Sequence, residues 1–240
     1  MATGAESAIL EEVPVRALAV YAHPDDPDIS CGGTLARWAT AGCEVHVLIC
    51  TNGDKGSGRA DDDPAAVAAR RRLEAERANE LLGTKALHHL GLSDGELEND
   101  AATRGALVAV IRQVRPDVVV CPDPTAVFFG SHHFNHRDHR QVGWAALDAV
   151  SPAASSPLYF PETGPAHEVG TVLLSGSLEP DVFVDVTSEI ERKIEAVACH
   201  ESQLAGASDW YATAVRDGAE EAGRRIGRRY AEAFRRLELA

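Results

Sequence analysis

The feature that most constrains this chain is a run of short apolar segments, each followed by a stretch of helical spacing. Ala17–Ala22 (ALAVYA), Val45–Cys50 (VHVLIC) and Asp117–Cys121 (DVVVC) are nearly continuous in hydrophobicity, and Ala86–Leu90 (ALHHL) is a weaker version. Such segments suit strands buried on both faces of a parallel sheet. Between them, Gly32–Ala41, Pro64–Leu82 and Ala102–Val114 carry apolar residues at helical spacing. Gly42 and Gly83 stand where helices end, and Pro64 stands where one begins. The alternation β-α-β-α-β-α-β predicts an α/β fold with a mainly parallel sheet and helices on both faces.

Beyond this core the pattern predicts a helix from Asp138 to about Val150, then a linker, SPAASSP. Shorter strands are expected at Leu158–Phe160, Val172–Leu174 and Val182–Val186. Thr187 is expected to cap a helical region through Ser202, and a charged helix is expected near 218–237. The C-terminal third therefore reads as additional strands on the same sheet. Residues 1–240 are read as a single domain, with 1–13 a flexible N-terminal segment.

Composition excludes several partners. Against 37 Asp+Glu there are 23 Lys+Arg, a formal charge of −14, which disfavours nucleic acid. The basic clusters at Arg70–Arg72 and Arg224–Arg229 are interleaved with Glu and read as solvated helix faces. No segment approaches the roughly eighteen apolar residues of a membrane span. Five cysteines without CxxC spacing, three of them in or beside apolar runs, suit a reducing cytoplasm.

Two clusters carry the chemistry. The first strand ends in His23-Pro24-Asp25-Asp26, and in open α/β sheets ligands bind at the carboxyl ends of strands. An imidazole and two carboxylates in a Pro-stiffened turn offer a borderline metal mixed N/O donors. One Asp can bind metal while its neighbour faces the water. The competing reading is a turn whose Asp side chains cap the next helix. The second cluster, Ser131–His139, follows the fourth strand and holds four of the ten histidines. His136 and His139 stand three apart at a loop-to-helix junction, and spacing alone does not choose between them as a metal ligand.

The chain also resembles the LmbE-like, PIG-L-type N-acetylglucosaminyl de-N-acetylases. The match runs in order through AHPDD (Ala22–Asp26), CGGT (Cys31–Thr34), TNG (Thr51–Gly53) and Arg71, Glu74, Ala78, Leu82 and Gly83. It continues with LSDG (Leu92–Gly95), NHRDHR (Asn135–Arg140) and HESQ (His200–Gln203). The resemblance implies a Rossmann-like fold and a zinc site of His23, Asp26 and His139. It implies Asp25 as general base, His136 as oxyanion partner and Asp138 as the residue orienting one of the histidines. The same division of labour follows from what amide hydrolysis needs. The carbonyl must be polarised, water deprotonated and the leaving amine protonated, and a protonated His136 would face the oxyanion. The same donor set can also hold Fe2+. Two departures stand out: Pro27-Asp28 where many relatives have Glu, and Phe134 where some have Tyr.

Asp94, Arg71 and Asn52 are candidate substrate contacts. Asp94 would meet sugar hydroxyls, Arg71 an anionic or polyhydroxyl part, and the turn at Asn52 would offer backbone donors. A plain turn at Asp94, an Arg71–Glu74 helix pair, a structural turn at Asn52 and a satisfied polar His200 compete with these roles. Gly32-Gly33 is weak evidence for phosphate binding. The expected activity is zinc-dependent removal of an N-acetyl group from an N-acetylglucosamine-type small molecule or glycoconjugate. The alternatives are an amidase on non-sugar conjugates and a metal- or sugar-binding protein without catalysis. Oligomeric state stays open, a homo-oligomer included.

Overall fold

A computed structural model describes residues 8–204 and 210–239. Its strands are β1 (Ala8–Ile9), β2 (Arg16–Tyr21), β3 (Glu44–Thr51), β4 (Ala86–Leu92), β5 (Val118–Pro122), β6 (Phe128–Phe129), β7 (His133–Phe134), β8 (Thr171–Ser175), β9 (Val182–Asp185) and β10 (Ala231–Glu238). The helices are α1 (Asp26–Thr40), α2 (Pro64–Leu82), α3 (Ala101–Val114), α4 (Arg137–Asp148), α5 (Ile190–Ala198), α6 (Glu201–Leu204) and α7 (Trp210–Arg224). Eight strands form one sheet in the order β1-β9-β10-β8-β5-β2-β3-β4. All neighbouring pairs are parallel except those of β10, which lies antiparallel between β8 and β9. A separate hairpin pairs β6 with β7.

The near-continuous apolar runs have their reason in this arrangement. Along β2 and β3, Ala17, Ala19, Tyr21, Val45, Val47 and Ile49 pack under α1, α2 and α5. The alternate residues Leu18, Val20, Leu48 and Cys50 pack against α3 and α4 on the other face. Both faces being dry, both sets of side chains must be apolar. The chain leaves β2 for β3 on one side and later returns to β5 on the other. The carboxyl end of β2 is therefore the switch point where a crevice opens. No helix among the described residues is long and apolar enough to cross a membrane.

Several local expectations are corrected. α1 begins at Asp26, well before Gly32, and Pro122 belongs to β5. Of the N-terminal segment 1–13, residues 1–7 lie outside the described residues, while Ala8–Ile9 pair in parallel with β9. SPAASSP is not a linker and Leu158–Phe160 is not a strand. A π-helical turn, Ala149–Ala154, buries Ala153 and Ala154, and the chain then loops through 155–164. Arg112, buried on α3, organises this loop. Its guanidinium donates to the carbonyls of Ala153, Ala154, Ser156, Tyr159, Phe160 and Gly164 and to Thr163 Oγ1. With those carbonyls taken by one cation, the segment has no ladder to join.

Thr187 does not cap the next helix. Its hydroxyl donates to Tyr230 O and accepts from Tyr230 N, and α5 starts at Ile190 with no side-chain cap. The largest correction concerns 218–237, where α7 ends at Arg224 and Ala231–Glu238 is a strand. Helix-forming composition in AEAFRRLE is overridden by edges on both sides waiting to be paired.

That strand brings Glu232 into the core. Its carboxylate accepts from Gly33 N (2.9 Å) and Thr34 N (2.7 Å), behind a break in α1 at Cys31, and from Lys193 Nζ at 2.6 Å. Those N–H groups are thus spoken for, which removes the phosphate reading of Gly32-Gly33. Glu232→Ala strands a buried ammonium and two buried N–H groups. It should cost about 3–5 kcal/mol in urea unfolding, with Glu232→Gln milder; a loss below about 1 kcal/mol for Ala would contradict this role.

Candidate active site

Ala22 O accepts from both Thr51 N (2.8 Å) and Thr51 Oγ1 (2.9 Å), which pins the end of β2 to the end of β3. His23 follows at this fixed point. Asp25 and Asp26 enter α1, yet neither side chain caps it. Asp25 occupies the cap position without a side-chain cap bond, and Asp26 Oδ2 accepts from His23 N at 2.7 Å. The helix-capping reading of HPDD is thereby excluded, and the carboxylates are left for other work.

Three donor groups converge, the Asp26 carboxylate through both of its oxygens. His23 Nδ1 lies 3.1 Å from His139 Nε2, Asp26 Oδ1 lies 3.0 Å from His139 Nε2, and Asp26 Oδ2 lies 3.2 Å from His23 Nδ1. The opposite ring nitrogens fix the tautomers. His23 Nε2–H donates to Asp94 Oδ1 at 3.1 Å, and His139 Nδ1–H donates to Asn135 Oδ1 at 3.1 Å. Both lone pairs then point at the same spot as the Asp26 carboxylate, which suits a cation. Tetrahedral zinc, with bonds of about 2.0–2.2 Å, sets its donors roughly 3.3–3.5 Å apart, so the set fits.

Other donor groupings fit less well. His23, His136 and His139 offer ligand atoms within 4.8 Å of one another, as do His23, Asp94 and Asp138. His136 Nδ1, however, accepts from Asp138 N at 3.2 Å as the cap of α4. Asp94 and Asp138 lie on the Nε2 side of His23, at 3.1 and 3.6 Å. Asp138, fully buried, also accepts from Gly95 N at 2.6 Å. It and Asp94 position His23.

The charges follow from this geometry. Burial works against a charged His23, but the Asp26 carboxylate and the hydrogen bonds His23 donates to Asp138, Asp26 and Asp94 raise its pKa to about 12 in the metal-free chain. Burial likewise opposes ionisation of Asp26, but the His139 and His23 imidazoles prevail and hold its carboxyl well below the usual range. The hydrogen bond from His23 lowers the pKa of Asp94. His136 is lowered by burial and by the neighbouring His23 and His139. The expected protonated His136 is therefore corrected. A neutral ring with Nδ1 occupied by a backbone N–H carries its proton on Nε2 and donates from there.

Arg71 does not pair with Glu74. Buried at 3% exposure, it donates from Nη2 to Asp25 Oδ1 at 2.8 Å and from Nη1 to Gly53 O at 3.1 Å. Glu74 instead accepts from Ser202 N and Oγ. The Gly-rich loop exists for this guanidinium: a Cβ on Gly53 or Gly56 would sit 2.4 or 2.3 Å from Arg71 Nη1. Asn52 is corrected as well. Its N donates to Leu92 O and its Nδ2 to Gly91 O, so it fastens β3 to β4. His200 bonds Asp28 Oδ2 at 2.7 Å, deep under the first turn of α1, where the unusual Pro27-Asp28 places that carboxylate. Phe134 stands exposed on the β6–β7 hairpin.

A cavity of about 440 Å³ gathers His23, Asp25, Asp26, Arg71, Asp94, His136 and His139. It also includes Lys55 and Gln203, to which sequence reasoning assigned no role. Asn135, the partner of His139, was equally missed, although its place four residues before that histidine was a usable signal.

Fold and site together define an α/β chain with a cluster of His and Asp donors that could hold a metal ion at the switch point. The profile of the PIG-L family, described as GlcNAc-PI de-N-acetylase, matches residues 18–150, and the chain belongs to that family. It is 33% identical over 225 residues to the diacetylchitobiose deacetylase of Thermococcus kodakarensis, covering 92% of this chain and 82% of that protein. Among solved structures it is similar to the N,N'-diacetylchitobiose deacetylase from Pyrococcus horikoshii, with a TM-score of 0.86 and 30% identity over 94% of this chain and 84% of that one. It is also similar to GalB, the 4-carboxy-2-hydroxymuconate hydratase of Pseudomonas putida KT2440, with a TM-score of 0.76 and 25% identity over 94% and 97% of the two chains. The chain is an enzyme of the deacetylase class, a hydrolase acting on an amide bond.

A cation bound through His23 Nδ1 must displace the proton held there. Adding Zn2+ to metal-free protein at pH 8 should release protons, measured by calorimetry in buffers of different ionisation enthalpy. Affinity should weaken as pH falls; binding with no proton release would contradict the assigned donor.

Proposed function

We propose that this chain removes the acetyl group from the 2-acetamido position of an N-acetylglucosamine-type small molecule or glycoconjugate, using zinc held by His23, Asp26 and His139. Zinc bound there would supply a Lewis acid for the amide carbonyl and would make water easier to deprotonate near neutral pH. Asp25 is the general base. Arg71 clamps its Oδ1 and makes no bond to its Oδ2, and Asp25 lines the same cavity as the donor set. From there Oδ2 takes the proton of the attacking water and delivers it to the leaving nitrogen. His136 donates from Nε2–H to the oxyanion. Asp94 and Asp138 hold His23, and Asn135 holds His139.

The observation that carries this reading is the clamped carboxylate beside, but outside, the three-donor set. The substrate class follows from the family and from the diacetylchitobiose deacetylase relatives. Lys55, Gly56 and Gln203 line both the site and a wider cavity of about 930 Å³, which gives room for the rest of a conjugate on the amine side. Fe2+ suits the same donors, and metal replacement in the purified protein distinguishes the two. The cysteines are unpaired and four of the five are buried, in keeping with a reducing cytoplasm.

Acetate release from a panel of N-acetylglucosamine conjugates, with and without chelator, tests the activity. Release from non-sugar acetamides alone would favour the broader amidase reading, and water addition without acetate would favour hydratase chemistry. Asp25→Asn should retain one metal per chain and lose about 10²–10⁴-fold in kcat. Full turnover in that variant would overturn the role of Asp25.

A further inference from the structure

Asp26 and His139 line two cavities. One is the 440 Å³ cavity that also holds Asp25, Arg71 and Asp94. The other, about 320 Å³, lies against Tyr21, Ser30, Pro122, Phe129 and Ser175 and does not include Asp25. An amide has two ends, and on the reading proposed above the base decides which end goes where. In hydrolysis the oxygen of water joins the acyl carbon, the C–N bond breaks, and the proton taken by Asp25 passes to the departing nitrogen. Carboxylic acid and amine are the only products. The nitrogen must therefore lie on the side of Asp25, and the acyl chain, across the carbonyl from it, points into the second cavity.

That cavity is far larger than an acetyl group requires. A methyl group is close to a water molecule in size, roughly 30 Å³, against about 320 Å³ available. Its wall is mixed: Tyr21, Pro122 and Phe129 stand beside Ser30, His133, Asn135 and Ser175, and the Asn135 amide is already taken by His139 Nδ1 and Ala126 O. Tyr21 Oη and Ser175 Oγ bond each other at 2.8 Å, and Tyr21 Oη also donates to Cys31 Sγ at 3.3 Å, so their polar atoms ask nothing of a ligand. Ser30 also borders a further cavity of about 400 Å³, lined by Ile29, Trp210, Tyr211 and Val215 among others.

We propose that the Tyr21–Phe129–Ser175 cavity is an acyl subsite, and that the enzyme cleaves N-acyl groups longer than acetyl, such as butyryl and hexanoyl. The inference rests on the deacetylase reading. The test compares the zinc-loaded enzyme on β-methyl glycosides of N-acetyl-, N-propionyl-, N-butyryl- and N-hexanoylglucosamine, following release of the free amine. Butyryl and hexanoyl substrates should show kcat/KM within tenfold of acetyl or above it. KM should fall by up to about fourfold per added methylene, as burial of each CH₂ allows. Ser30→Leu, which narrows the cavity, should lower the hexanoyl-to-acetyl ratio of kcat/KM at least tenfold. Turnover of acetyl with a fall of about a hundredfold or more at propionyl and butyryl, as a filled pocket gives, would overturn the subsite and leave the deacetylase reading standing. An unchanged ratio in Ser30→Leu would overturn the placement. Turnover of none of the four would remove the deacetylase reading and the subsite together.

Discussion

Two imidazole lone pairs and a carboxylate, held within 3.0–3.2 Å of one another, repel unless a positive charge lies among them. The rest of the site exists to hold them there. Asp94 and Asn135 fix the two ring tautomers, and Asp138 buttresses the first ring. The backbone pins β2 to β3 immediately before His23. In the metal-free chain a proton on His23 relieves the repulsion, so metal and proton compete for one place.

The parallel core and the metal candidates were legible in the sequence for physical reasons. Strands buried on both faces leave an apolar run that needs no partner to be recognised, and Pro64 and Gly83 mark the ends of α2 by local chemistry. Likewise His23 and Asp26 are three residues apart, so their convergence is a local matter. The choice of His139 over His136 was not local. It turns on which ring nitrogen is already occupied, which the cap of α4 and Asn135 show only in the folded chain.

Long-range pairings were the unreadable part. Arg71 lies 46 residues from Asp25, and only the packed Gly-rich loop shows which carboxylate it serves. Asp94 read as a sugar ligand because a loop carboxylate before Gly95 has no visible partner in sequence; its partner is 71 residues away. β10 was hidden for a related reason. AEAFRRLE has the composition of a helix, and its strand state comes from β8 and β9, whose edges it closes. With β10 came Glu232, the carboxylate that serves the second half of the helix bearing Asp26.

The loop held by Arg112 is built on an unusual division of labour. Its shape is dictated through main-chain carbonyls by one side chain on another element, while its own side chains are mostly spectators, Leu158 standing 89% exposed. Shape and sequence are thereby uncoupled along that stretch. Substitutions at its exposed positions, Leu158 among them, should therefore leave the path of the chain unaltered as long as Arg112 is kept.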